Sequence, residues 1–173
     1  MRDLPGITIR LAAAADAPDL PQVERSAGAA FRTLSDLAWI AGEPVAPGES
    51  FLPLIAAGTV WVAQDAIRGV IGELRGEAAG DVLHILEIAV AADFQQRGIG
   101  RRLLDAAADA ARHKGLKALT LTTFRHVVWN GPFYARYGFA ELPDAGLDTR
   151  LRDILRAEDA HGLPNRCAMR LAL

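Results

Sequence analysis

With 173 residues, 51% of them hydrophobic, the chain is long and apolar enough to fold as one domain with a substantial core, which argues against intrinsic disorder. Nineteen basic against 21 acidic residues leave a net charge of −2, which gives no support to broad binding of nucleic acid or of an anionic membrane surface. A single cysteine, Cys167, excludes an internal disulfide and any cysteine-rich metal site, and reads as a small core residue.

The opening stretch "MRDLPGITIRLAAAAD" has no long apolar core of the leader type. No apolar run approaches the ~20 residues that span a bilayer, so a soluble cytoplasmic protein is the expectation. Ile7, Ile9 and Leu11 alternate with Thr8 and Arg10, as in a half-buried strand. Asp16 reads as an N-cap, with Pro18 in the first turn of a helix running to about Leu34. Residues 41–50, "AGEPVAPGES", read as a loop, followed by a short helix around Phe51–Ala57 that stops at Gly58. Three strand signals follow at 59–64, 69–77 and 81–90, and the short Gly- and Asp-containing turns between them predict an antiparallel meander. Ile99, Leu103, Ala107, Ala110 and Ala111 then share one helical face, and "RHK" before Gly115 makes a C-terminal stop. The next strand, 116–123, completes a strand–helix–strand passage and implies a parallel pairing. A short helix near Asn130–Tyr137, a short strand at Gly138–Leu142, an amphipathic helix from about Asp148 to Ala160 and a strand over 166–173 close the chain. The expected fold is a single α/β domain over residues 1–173, with a mixed sheet and one crossover near its centre.

The junction "QQRGIGRR" at 95–102 sits between the apolar strand and the helix. Two glycines in the first turn of a helix cost stability unless the backbone needs them. N–H groups at a helix start carry the positive end of its dipole, glycines let a ligand approach them, and Gln95, Gln96, Arg97, Arg101 and Arg102 add donors and charge. This arrangement suits a pyrophosphate. The dinucleotide fingerprint needs a glycine where Leu103 stands, and the P-loop needs a lysine followed by Ser or Thr where Arg101 and Arg102 stand. Gln95-Gln96-Arg97-Gly98-Ile99-Gly100 instead matches the Q/R-x-x-G-x-G/A signature.

That signature, the preceding Ile88-Ala89-Val90 and the downstream "NGPFYARYGF", with Asn130, Tyr134, Gly138 and Phe139, make the sequence resemble the GNAT superfamily of acyl-CoA-dependent N-acetyltransferases. The resemblance is specific from about Thr59 to Phe139. It implies a mostly antiparallel sheet of six or seven strands with helices on both faces. It also implies acetyl-CoA as co-substrate, no metal, and transfer of the acetyl group to an amine in a ternary complex. By this resemblance Ile88, Ala89, Val90, Gln95, Gln96, Arg97, Gly98, Ile99, Gly100, Arg101 and Asn130 bind the coenzyme. A backbone N–H at 88–90, freed where the strand bulges and splays, serves the oxyanion, and Tyr134 protonates the leaving sulfur. One departure is that Asn130 and Tyr134 lie only four residues apart, where many relatives have about one helical turn more.

Glu87 is out of place in its apolar run. It reads either as the general base, its pKa raised by burial, or as a strand-end carboxylate facing solvent or an arginine. His84 is the rival base and reads equally as a structural histidine. His126 stands in the loop before Trp129, and Tyr137 reads as structural. The acceptor pocket implied by the resemblance spans about Glu24 to Glu49, with Phe31 and Trp39, and Asp36, Glu43 and Glu49 would favour a cationic amine. Trp129 and the helix at 148–160 wall its other side or make a homodimer contact. Small-molecule amines and peptide or protein amines remain open as acceptors. A coenzyme-A-binding sensor without catalysis, and a structural α/β domain whose glycines only pack, are the competing readings.

Overall fold

The computed structural model describes residues 6–173; residues 1–5, at the head of the stretch read for a leader, lie outside them. Twelve main elements follow in chain order: β1 (Ile7–Leu11), α1 (Leu20–Gly28), α2 (Leu52–Ala56), β2 (Val60–Asp65), β3 (Gly69–Ala79), β4 (Val82–Val90), α3 (Ile99–His113), β5 (Ala118–Phe124), α4 (Gly131–Tyr137), β6 (Ala140–Glu141), α5 (Thr149–Ala160) and β7 (Arg166–Ala172). The strands form one mixed, mostly antiparallel sheet in the order β1-β2-β3-β4-β5-β7-β6. Two compact units divide the chain: one holds the residues up to Glu77 together with Glu87–Ala110, the other Ala78–Leu86 with Ala111–Leu173.

In the first unit β1 pairs antiparallel with β2, from Ile7↔Asp65 to Leu11↔Trp61, and β2 pairs antiparallel with β3, Val62 lying opposite Glu73. Leu20, Phe51, Val60 and Val62 form an apolar cluster on one face. On the other face Gly72 lets α3 close in: a Cβ there would stand 3.4 Å from Ile99 Cγ2 and 3.3 Å from the Ala89 carbonyl. Ile99, Leu103, Leu104, Ala107 and Ala108 of α3 are buried as the 3.6-residue period requires, while Ala110 is only partly buried.

The long first helix breaks into pieces. Asp16 ends a 3-10 turn at Ala14–Asp16, α1 begins only at Leu20, and 3-10 turns follow at Ala29–Thr33 and Ala38–Gly42. The Asp16 carboxylate is engaged elsewhere. It accepts Arg10 Nη1 at 2.7 Å, Arg10 Nη2 at 2.8 Å and the Ala13 amide at 2.7 Å. A two-pronged guanidinium bond of this kind outweighs a neutral cap, and it holds the Asp16 carboxyl below the usual carboxylate range.

In the second unit β4 runs parallel to β5 from Val82↔Ala118 to Ile85↔Leu121, confirming the expected crossover. β5 pairs antiparallel with β7 over its full length, and β6 adds to the far side of β7. Asp148 caps α5 by accepting the Leu151 amide at 2.8 Å. Glu158 ties α5 to the sheet, accepting Thr122 Oγ1 at 2.6 Å and Arg166 Nη2 at 2.6 Å. Cys167 is a buried core thiol whose pKa burial pushes up.

Candidate active site

The first unit holds the glycine junction and Glu87. After β4, a 3-10 turn at Ala92–Phe94 leads into the junction. The Ala91 amide donates to the Ile71 carbonyl at 2.9 Å and the Ala92 amide to Ser26 Oγ at 3.0 Å. Gln95 Nε2 donates to the Val90 carbonyl at 3.0 Å, folding the loop back on the strand end. Gln96 (φ +60°) and Gly98 (φ +83°) are both left-handed. For glutamine that conformation is strained, and for glycine it is free. A Cβ on Gly98 would meet nothing within 4 Å, so the space above this turn is open. The first bond of α3 runs from the Arg102 amide to the Gly98 carbonyl at 3.2 Å, so the amides of Ile99 and Gly100 have no acceptor one turn back within the helix. Arg97 and Arg101 are exposed; Arg97 Nη2 donates to the Asp93 carbonyl at 2.8 Å. A run of backbone donors turning through left-handed residues at a helix start is a concavity for anions.

Glu87 is half-buried and accepts the Ile88 amide at 3.1 Å, so the base candidate and an oxyanion-donor candidate are bonded to each other. The same unit holds a second acidic residue that the sequence analysis passed over. Glu73 on β3 is completely buried, and neither of its oxygens has a hydrogen-bond partner among the described residues. Arg75 Nε lies 3.0 Å from Glu73 Oε2 without making a hydrogen bond. The Arg75 guanidinium is shared: Nη2 bonds Glu24 Oε2, and the group lies 3.9 Å over the Phe51 ring. Burial pushes the Glu73 carboxyl up to about 8, Arg75 opposes that, and the charges of Glu87 and Glu24 add to it. The signal was present in "GVIGELRGE": two charges at i and i+2 share one face of a strand that has neighbours on both sides.

The second unit holds His84, Asn130 and Tyr134. The β4–β5 ladder stops at Ile85↔Leu121 although β4 continues to Val90 and β5 to Phe124. His84, one pair earlier, is buried, and its Nδ1 lies 3.0 Å from Thr120 Oγ1. Gly131 lets α4 begin hard against the end of β5, since a Cβ there would stand 2.6 Å from the Arg125 carbonyl and 2.9 Å from that of Phe124. Asn130, the residue before α4, donates its amide to the Val127 carbonyl at 2.8 Å. Its side chain caps nothing, and its buried Oδ1 has no partner among the described residues. Such an orphaned acceptor is uncommon and points to a missing donor. Tyr134 is buried between Phe133 and Phe139, ring centroids 5.2 and 5.6 Å away. Gly138 (φ +128°) ends the helix by donating to the Tyr134 carbonyl at 3.1 Å.

Asp36 and Glu43, in the turns on either side of the 3-10 segment Ala38–Gly42, and Glu49, in the 3-10 segment Gly48–Phe51, are exposed, while His126 and Trp129 are exposed in the loop after β5. Among the described residues no group of three or more His, Cys, Asp or Glu side chains is placed to hold a metal ion. No described helix is long and apolar enough to cross a membrane.

Residues 56–141 match the family model of the acetyltransferase (GNAT) domain. Among solved structures, the chain is similar to PaiA N-acetyltransferase from Thermoplasma acidophilum in complex with coenzyme A, with a TM-score of 0.73 and 18% identity over 96% of this chain and 99% of that one. It is similar to Rv2747 from Mycobacterium tuberculosis in complex with CoA and NLQ, with a TM-score of 0.67 and 22% identity over 96% and 99%. It also resembles the ribosomal-protein-S18-alanine N-acetyltransferase of Escherichia coli, with a TM-score of 0.66 and 17% identity over 96% and 93%.

Proposed function

This chain belongs to the GNAT acetyltransferase superfamily, and from that premise we propose that it transfers the acetyl group of acetyl-CoA to a primary amine by direct attack in a ternary complex. The observation that carries the reading is the open, left-handed turn at Gln96–Gly98, with backbone donors at the start of α3 and arginines beside it. These residues fit a pyrophosphate. The orphaned Asn130 Oδ1 fits a donor from the same coenzyme. When bound, acetyl-CoA supplies a thioester carbonyl open to attack and a thiolate leaving group.

In this reading Gln95, Gln96, Arg97, Gly98, Ile99, Gly100 and Arg101 hold the diphosphate, and the β4 backbone from Ile88 to Val90 pairs with the pantetheine arm. Glu87 takes the proton of the attacking amine. Its bond to the Ile88 amide gives that step a consequence: a carboxylate drawn toward an ammonium group releases the amide, which can then donate to the developing oxyanion. The Tyr134 phenol, held by its ring neighbours, returns a proton to the thiolate. His84, buried against Thr120, is the second candidate for the base.

A thiol-release assay with acetyl-CoA and a panel of small and peptide amines tests this. Glu87→Gln and Tyr134→Phe should each lower kcat by about 100-fold, with acetyl-CoA affinity nearly unchanged by calorimetry. Wild-type turnover in both variants would overturn these roles. Coenzyme binding without turnover on any amine would make the chain a sensor instead.

A further inference from the structure

Resting on the reading of the Gln96–Gly98 turn as a diphosphate clamp, we infer that Ser26 is a positioning residue for the coenzyme: without touching it, the hydroxyl fixes the segment that carries the clamp. Ser26 stands in the last turn of α1, and its Oγ accepts the Ala92 amide at 3.0 Å, across 66 residues of chain. Ala92 opens the 3-10 turn that leads from β4 into the junction. The first amides of such a turn have no acceptor within it, and the residue in the capping position is Ala91, whose methyl group caps nothing. Ser26 supplies from α1 the cap that the local sequence lacks.

What lies at each end gives this bond its weight. On the coenzyme side, the Phe94 amide donates to the Ala91 carbonyl at 2.8 Å and the Gln95 amide to the Ala92 carbonyl at 3.3 Å. Arg97 Nη2 closes the loop onto the Asp93 carbonyl at 2.8 Å. A shift at Ala92 therefore carries the left-handed Gln96 and Gly98 with it. A left-handed glutamine is strained, and such a turn keeps its shape only where the bonds around it over-determine it. On the other side, α1 is itself anchored: Glu24 Oε2 takes Arg75 Nη2 of β3, and that guanidinium lies 3.9 Å over the Phe51 ring. Glu24 and Ser26 are two residues apart and leave the helix on different sides, so α1 bridges β3 and the coenzyme turn.

Ser26→Ala removes the cap without weakening α1, since alanine is the stronger helix former. Calorimetry of wild type, Ser26→Ala and Ser26→Thr with acetyl-CoA and with the diphosphate-free thioester acetyl-pantetheine tests the role. Ser26→Ala should bind acetyl-CoA about 3- to 10-fold more weakly than wild type and acetyl-pantetheine equally well. Ser26→Thr, which keeps the hydroxyl, should recover the affinity for acetyl-CoA. Unchanged acetyl-CoA affinity in Ser26→Ala, an equal loss for both thioesters, or no recovery in Ser26→Thr would overturn the inference. Amide hydrogen exchange in the ligand-free chain reads the bond itself. The Ala92 amide should exchange about 3- to 10-fold faster in Ser26→Ala and at the wild-type rate in Ser26→Thr, and wild-type protection in Ser26→Ala would equally overturn the inference. Wild type that binds the two thioesters alike defeats the clamp reading beneath, whereas full discrimination kept in Ser26→Ala defeats this inference alone.

Discussion

Burying Glu73 ties the stability of the fold to pH. Its carboxyl titrates at about 8 in the folded chain, against about 4.3 when unfolded, so between those values the folded state binds the proton more tightly. The stability it permits is fully present below the unfolded value and is lost as pH rises through the folded one. Glu73→Gln removes that loss. Its melting temperature should match wild type near pH 4 and exceed it increasingly toward pH 8, by the equivalent of a few kcal/mol. Melting curves at several pH values check this, and a constant offset would contradict it. Glu87 was legible because one acidic residue interrupts an apolar run. Glu73 was not, because its charged neighbour Arg75 makes the same strand look half-exposed, and only the strands on either side show that it is not.

Among the elements, α4 has the least room. Gly131 admits the Arg125 carbonyl to within 2.6 Å of where a Cβ would be, so Gly131→Ala must push the start of α4 from the end of β5. It should cost about 1 to 3 kcal/mol, read as a lower denaturant midpoint, and an unchanged midpoint would show that the contact gives freely. Gly98 differs: its φ of +83° demands glycine, while the space beyond it is open. The run from β2 through β5 was legible because period-2 and period-3.6 patterns alternate there with clear turn residues between them. The division of the helix expected over 16–34 was not. What removes Asp16 from capping is the Arg10 fork on β1, a tertiary partner that local propensity does not register.

Over the whole chain, the strand count and the parallel crossover were readable, but the order β5-β7-β6 was not. Sequence shows that a closing strand exists. It does not show that β7, with Cys167, Ala168 and Met169 buried, inserts beside β5 and leaves two-residue β6 at the edge. The β4–β5 ladder ends at Ile85↔Leu121, and β4 itself continues to Val90, just before the glycine junction. The most direct test of that junction is calorimetry of the wild-type chain with acetyl-CoA and with acetyl-pantetheine, which keeps the thioester but lacks the diphosphate. Saturable binding of acetyl-CoA, at least about tenfold tighter than that of the truncated thioester, is the predicted result. No heat with acetyl-CoA, or equal affinity for both, would contradict the claim that this backbone turn clamps a diphosphate.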